Sequence, residues 1–143
     1  MERNFVFLYD HDGYHHRSHN KTKLMTHLIF VTKYRKPLLS GDIAADIKQL
    51  IFETAKVNHW YIKKMETDID HIHILLQYPP NDSIRHIVSV LKQASTYKIW
   101  KMHACLLCTQ YWREHTFWSD GYFAASTGDV STAIIEEYIA GQG

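Results

Sequence analysis

Two hydrophobic periods alternate along most of the chain. The stretch LMTHLIFVTKYR, beginning at Leu24, is rich in β-branched and aromatic residues and is closed by Pro37 and Gly41, which predicts a strand over about 24–34. In GDIAADIKQLIFETAKVNHW the apolar positions fall at 43, 44, 47, 50, 51 and 55, a helical spacing, with Ser40 or Asp42 placed to cap its start. WYIKKMETDIDHIHILLQY predicts two strands, about 60–67 and 70–77, the second stopped by Pro79 and Pro80. NDSIRHIVSVLKQASTYKIWKMH returns to helical spacing, with Asp82 or Ser83 as cap and Ile84, Ile87, Val88 and Leu91 on one face. TFWSDGYFAAST holds one or two short strands around a Ser-Asp-Gly turn. GDVSTAIIEEYIAGQG predicts a short helix capped by Asp129 or Ser131 and running to Gly141.

The order β-α-β-β-α-β-α contains, in its first six elements, the split βαβ arrangement of an α+β, ferredoxin-like fold. In that topology the first and third strands lie in the middle of an antiparallel sheet. The strand carrying HIHILL is then central and offers a rigid platform. The remaining helix lies at the C-terminus. Residues 1–20 have no steady period, contain His11, His15, His16 and His19, and read as an N-terminal arm; residues 21–143 read as a single domain.

Composition narrows the class. A chain of 143 residues, 45% hydrophobic and 22% charged, has the makings of one ordinary globular core. No apolar run reaches the ~18 residues of a membrane span. The N-terminus lacks the basic region, long apolar stretch and cleavage site of a signal peptide, so a cytoplasmic location is expected. The net charge is +1 but unevenly spread: residues 1–40 carry seven Lys/Arg against three Asp/Glu, and residues 104–143 one against five. Such a gradient suits a protein that meets an anion on one side. Cys105 and Cys108 form a lone C-x-x-C with only His103 near, too little for a zinc site, and read as two small residues near a helix end.

Eleven histidines are the more unusual count, and two of them carry a pattern. Side chains alternate along a strand, so His71 and His73 point to one face while Ile72 and Ile74 point to the other. Two imidazoles one step apart can bite one metal ion. Without a metal, up to four ring nitrogens need other partners or water. H-x-H by itself is equally compatible with two solvated histidines. On the C-terminal helix Tyr138 and Gln142 are four apart and share a face, with Ile134, Ile135 and Ile139 supplying the apolar side.

Five stretches in order, HLIFVTKYRKPLL (27–39), METDIDHIHILLQ (65–77), IRHIVSVLKQAS (84–95), FWSDGYFAASTGDV (117–130) and EEYIAGQ (136–142), resemble the TnpA-type single-tyrosine transposases of small bacterial insertion sequences, within the HUH nuclease superfamily. The resemblance runs from about residue 24 to the C-terminus. It implies that His71, His73 and Gln142 ligate a divalent metal, Mg²⁺ or Mn²⁺, and that Tyr138 is the nucleophile. It also implies that hairpin-forming ends of single-stranded DNA are cut and rejoined through a 5′-phosphotyrosine link. A homodimer is implied too, with the tyrosine helix of one subunit able to complete the site of the other.

The residue types suit that chemistry. Two neutral imidazoles and an amide leave a metal its full positive charge, to stabilise charge developing on a phosphate. A tyrosyl oxygen can attack and later leave. No G-x-x-x-x-G-K-[ST] pattern occurs, consistent with a reaction that conserves phosphodiester energy and needs no nucleotide. Lys33, Tyr34 and Arg35, after the first strand, are candidates for DNA contact, as is Lys92, where the family has a basic helix position. Phe117, Trp118, Tyr122 and Phe123 offer stacking surfaces but read more readily as core, and Trp60 and Trp100 as packing. The alternatives are a domesticated relative that processes repetitive palindromic DNA, a non-catalytic nucleic-acid-binding module on the same sheet, and a small redox or metal protein built on the two cysteines. The module is expected to carry aromatics where this chain has His71 and His73, and the redox reading leaves Tyr138 and Gln142 without a role.

Overall fold

A computed structural model of the chain describes residues 15–17, 20–126 and 132–142. A small hairpin comes first: β1 (His15–Arg17) pairs antiparallel with β2 (Asn20–Thr22), so part of the stretch read as an arm without steady period is regular. The main sheet follows from β3 (Leu24–Val31), β4 (Tyr61–Asp68), β5 (His71–Tyr78) and β6 (Phe123–Ala125), in the order β4-β5-β3-β6 and antiparallel throughout. Three helices complete the fold: α1 (Gly41–Val57), α2 (Ile84–Tyr111) and α3 (Thr132–Ala140). The first and third strands of the split βαβ unit, β3 and β5, are central, as the ferredoxin-like reading requires.

The two sheet faces are covered unequally. Leu28 and Phe30 of β3 and Ile72, Ile74 and Leu76 of β5 point to one side. There they form a single core with Ile43, Ile47 and Ile51 of α1 and Ile87, Leu91 and Ile99 of α2. Burying each such aliphatic side chain contributes about 1.5–3 kcal/mol. On the other side, among the described residues, Ile29 and Val31 form a small cluster with Ile139 of α3, and Phe123 and Tyr138 pack against it. The period-two alternation of β3 and β5 thus leaves one face for the large core and the other for the C-terminal helix. Among the described residues no helix is long and apolar enough to cross a membrane.

Two expectations change. The first strand ends at Val31 rather than near 34, because Thr32 turns the chain. Its amide is bonded to the Asp70 carbonyl at 2.9 Å, its hydroxyl donates to the Lys36 carbonyl at 2.7 Å, and Tyr34 and Arg35 adopt positive φ of 60° and 52°. The second helix runs on through both cysteines to Tyr111, bent at His103 (φ −132°, ψ 36°), whose Nε2 lies 2.7 Å from Asp46 of α1. Cys105 and Cys108 are exposed and unoxidised within it. Ser83 caps α2 by accepting the His86 amide, whereas Ser40 stands at the start of α1 without a side-chain bond. The caps expected at Asp129 and Ser131 lie outside the described residues.

Candidate active site

His71 and His73 point together from β5, their ring centroids 4.9 Å apart, on the face that receives α3. The register makes this necessary, since Val31 is opposite His71 and Ile29 opposite His73, and both are covered by Ile139. Each imidazole has its Nδ1 engaged. His71 Nδ1 lies 2.8 Å from Asp70 Oδ1, and His73 Nδ1 lies 3.2 Å from His27 Nε2. Each Nε2 is thereby left as the nitrogen available to a ligand. Burial, reinforced by the neighbouring His71 and His27, pushes the His73 pKa below the ordinary histidine value, which favours the neutral form that binds metals.

Asp70 is itself held. Arg35 donates Nε–H to Asp70 Oδ2 at 3.2 Å, so a guanidinium, a carboxylate and an imidazole stand in line. Burial alone would raise the Asp70 carboxyl, but the hydrogen bonds from His71 and Arg35 outweigh it and hold it below the usual carboxylate range. A cleft of about 350 Å³ opens beside this line, walled by Arg35, Asp68, Asp70 and His71 and by Glu136 and Ile139 of α3.

Tyr138 and Gln142 form the second half of the site. The half-buried Tyr138 ring packs on Phe123, with centroids 5.7 Å apart. Its hydroxyl is buried and makes no hydrogen bond among the described residues. A β-carbon at Gly121 would lie 3.5 Å from that hydroxyl and 3.7 Å from Gln142 Oε1, ordinary contact distances, so the chain at 121 lies against both groups. Gln142 Oε1 accepts a hydrogen bond from Ser119 at 3.2 Å. Burial raises the Tyr138 pKa, so in this position the phenol keeps its proton. No hydrogen bond or ring contact among the described residues joins Tyr138 or Gln142 to either histidine. The four residues share a face of the sheet as two pairs, the histidines over β5 and the tyrosine and glutamine toward β6.

The residues named for DNA contact are placed differently from one another. Lys33 reaches Asp120 at 3.5 Å and lies over the Tyr34 ring. Tyr34 is exposed and donates its hydroxyl to Glu114 at 2.9 Å. Arg35 braces Asp70. Lys92 is half-buried, and its ammonium donates to the carbonyls of Ser119 and Gly121, each at 2.7 Å, and more weakly to that of Asp120. Burial pushes its pKa down to about 8, so it is still charged at pH 7 and all three protons have acceptors. Lys92 therefore ties α2 to the loop beneath Tyr138. Lys92→Met is expected to lower stability by roughly 1–3 kcal/mol in urea denaturation, since the carbonyls lose a charged donor; an unchanged midpoint would show that the tie is dispensable.

Phe117 and Trp118 are buried, Phe123 packs on Tyr138 and Tyr122 is exposed. Trp60 and Trp100 are buried, donating their indole N–H groups to Asp82 and to the Thr116 carbonyl. A larger cleft, about 680 Å³, lies along α2 beside Tyr97, Trp100 and Trp118 and contains neither Tyr138 nor the histidines.

Comparison with known proteins places this geometry. The family model for IS200-like transposases matches residues 20–142, which takes in both histidines, the tyrosine and the glutamine. The chain belongs to the IS200-like transposase family. Among its relatives in that family, the ISDra2 transposase TnpA of Deinococcus radiodurans is 30% identical over 120 residues, covering 84% of each protein. The transposase of insertion sequence element IS200 from Salmonella typhimurium is 27% identical, covering 87% of this chain and 80% of that one. A crystal structure of a Deinococcus radiodurans protein assigned as a transposase superposes with a TM-score of 0.79 at 28% identity, over 89% of this chain and 95% of that one. A REP-associated tyrosine transposase bound to a REP hairpin shares the fold, with a TM-score of 0.53 at 12% identity. As an IS200-like transposase the chain is a DNA-processing enzyme. Sequence reasoning missed His27, Asp70 and the bracing role of Arg35. The first has a signal in the pattern, because it alternates in phase with Ile29 and Val31 on the strand next to His73.

Proposed function

We propose that this transposase cleaves and rejoins single-stranded DNA at the ends of its element by attack of Tyr138 on a phosphodiester, at a divalent metal held by His71, His73 and Gln142. The observation that carries the reading is the shared face. Two imidazoles, each with Nδ1 bonded and Nε2 available, stand on the same side of the sheet as a tyrosine hydroxyl that has no partner among the described residues. Gln142 enters the ligand set through the resemblance to the single-tyrosine transposases; among the described residues no group of three or more His, Cys, Asp and Glu side chains is arranged to hold a metal. The bound ion, Mg²⁺ or Mn²⁺, supplies charge to the scissile phosphate.

The protein's own groups then have defined tasks. Asp70 keeps the His71 imidazole turned, and Ile139 and Phe123 seat the tyrosine helix. Tyr138 Oη loses its proton and bonds to phosphorus, the P–O3′ bond breaks, and the 3′ oxygen takes up a proton. A 5′-phosphotyrosine and a free 3′-hydroxyl result, and the reverse reaction with another 3′-hydroxyl rejoins the strand. The assembly in this reading is a homodimer in which α3 of one subunit is able to complete the histidine pair of the other, as the family resemblance implies. We assign contact with the strand to Lys33 and Tyr34, which follow β3.

The test is a covalent adduct that survives denaturing electrophoresis. Purified protein, Mn²⁺ and a labelled hairpin oligonucleotide from the ends of its own element should give the adduct, and chelation of the metal should prevent it. Adduct yield that is the same with and without metal would overturn the metal assignment, and no adduct with any strand of the element would overturn the reaction.

A further inference from the structure

His27 is the residue this site contains beyond the expected set. In the β3–β5 register His27 is opposite Leu75 and Ile29 is opposite His73, so His27 is the diagonal neighbour of His73 on the same face. Its Nε2 is 3.2 Å from His73 Nδ1, and the rings meet edge to face with centroids 5.4 Å apart. A neutral imidazole has one N–H and one bare nitrogen. If His27 donated across this contact, the proton of neutral His73 would sit on Nε2, where it blocks ligation. If His73 donates, its Nε2 is bare.

We propose that His27 is a positioning residue of the metal centre: it accepts the Nδ1–H bond of His73 and so selects the tautomer and ring orientation that present His73 Nε2 to a divalent cation. The inference rests on the reading that His71 and His73 ligate the metal. Asp70 has the corresponding task at His71, with Oδ1 at 2.8 Å. The two acceptors differ in kind. A carboxylate can only accept, whereas an imidazole accepts in one tautomer and donates in the other, so the His73 side of the site depends on the state of its partner.

Two measurements decide it. In the metal-free protein, long-range ¹⁵N–¹H correlation spectra should show His73 protonated at Nδ1; an Nε2–H tautomer would overturn the proposal without any mutation. Mn²⁺ titration followed by electron paramagnetic resonance should then show His27→Phe, which keeps a ring of similar size, weakening binding roughly 10–100-fold. His27→Gln, whose amide oxygen accepts a hydrogen bond, should recover most of that loss. Wild-type affinity in His27→Phe, or equal weakening in both variants, would overturn the role as acceptor. The same titration on wild type and His71→Ala separates the two claims. If wild type binds no Mn²⁺, the metal reading itself fails; if His71→Ala alone abolishes binding while both His27 variants bind as wild type, only the inference about His27 fails.

Discussion

Replacing Tyr138 with phenylalanine will abolish the covalent DNA adduct and at the same time make the free protein more stable. The first effect follows from the loss of the only atom assigned to attack phosphorus, and a fall of at least ~10³-fold is the scale seen when an enzyme loses its nucleophile. The second follows from the state of the hydroxyl. It is buried without a hydrogen bond among the described residues, and such a group costs ~1–3 kcal/mol relative to water. Phenylalanine keeps the ring against Phe123 and removes that cost, so a gain of about 1 kcal/mol in chemical denaturation is expected. Metal and DNA binding should persist. An adduct that survives the substitution would move the nucleophile elsewhere, and a clear loss of stability would mean that the hydroxyl has a partner in solution. A residue whose removal improves stability and destroys activity is held in place for the reaction, at the expense of the fold.

His71→Ala will have the opposite profile, losing both the metal and cleavage. Outer partners of metal-bound histidines are worth 10–100-fold in affinity, so removal of the ligand itself should weaken Mn²⁺ binding by more than ~100-fold. A metal contributes several kcal/mol to phosphoryl transition states, and each ~1.4 kcal/mol is a factor of ten, so cleavage should fall by roughly 10²–10⁴-fold at fixed metal concentration. Affinity for the uncut strand without metal should change little, since His71 lies largely buried beside Asp70. Calorimetric Mn²⁺ titration and a cleavage assay on the same preparation check both halves. Undiminished cleavage would remove His71 from the site.

The two halves of this site were legible to different extents. That His71 and His73 share a face follows from a period of two and holds; Tyr138 and Gln142 both lie against Gly121, although α3 stops at Ala140, short of the expected Gly141, and Gln142 stands in the turn beyond it. The sheet order was legible because the succession of elements leaves few topologies. The bracing of Asp70 by Arg35 was not, since it depends on a positive φ at Tyr34 and Arg35, which no glycine announces. Lys92 reads as a candidate for DNA contact because the family has a basic position on that helix. Its actual partners are carbonyls some 27–29 residues further along, brought beneath it only by the packing of the loop after Trp118. His27 needed the register between two strands 46 residues apart at the contact, a quantity that hydrophobic pattern does not carry. What escaped the sequence is in each case a long-range pairing of polar atoms.

The placement of the histidines on β5 also divides the molecule in time. That strand is hydrogen-bonded along both edges, to β3 and to β4, and its inward side chains are in the main core. Its amides can exchange with deuterium only through openings that approach global unfolding. Among the described side chains of the nine-residue α3, Ile139 and Tyr138 pack in a small cluster on the sheet, and its amides are expected to open at far smaller cost. Exchange should therefore be slowest at the strand that carries the histidines and orders of magnitude faster around Tyr138, so that the two parts of the proposed site differ in how readily each can be repositioned.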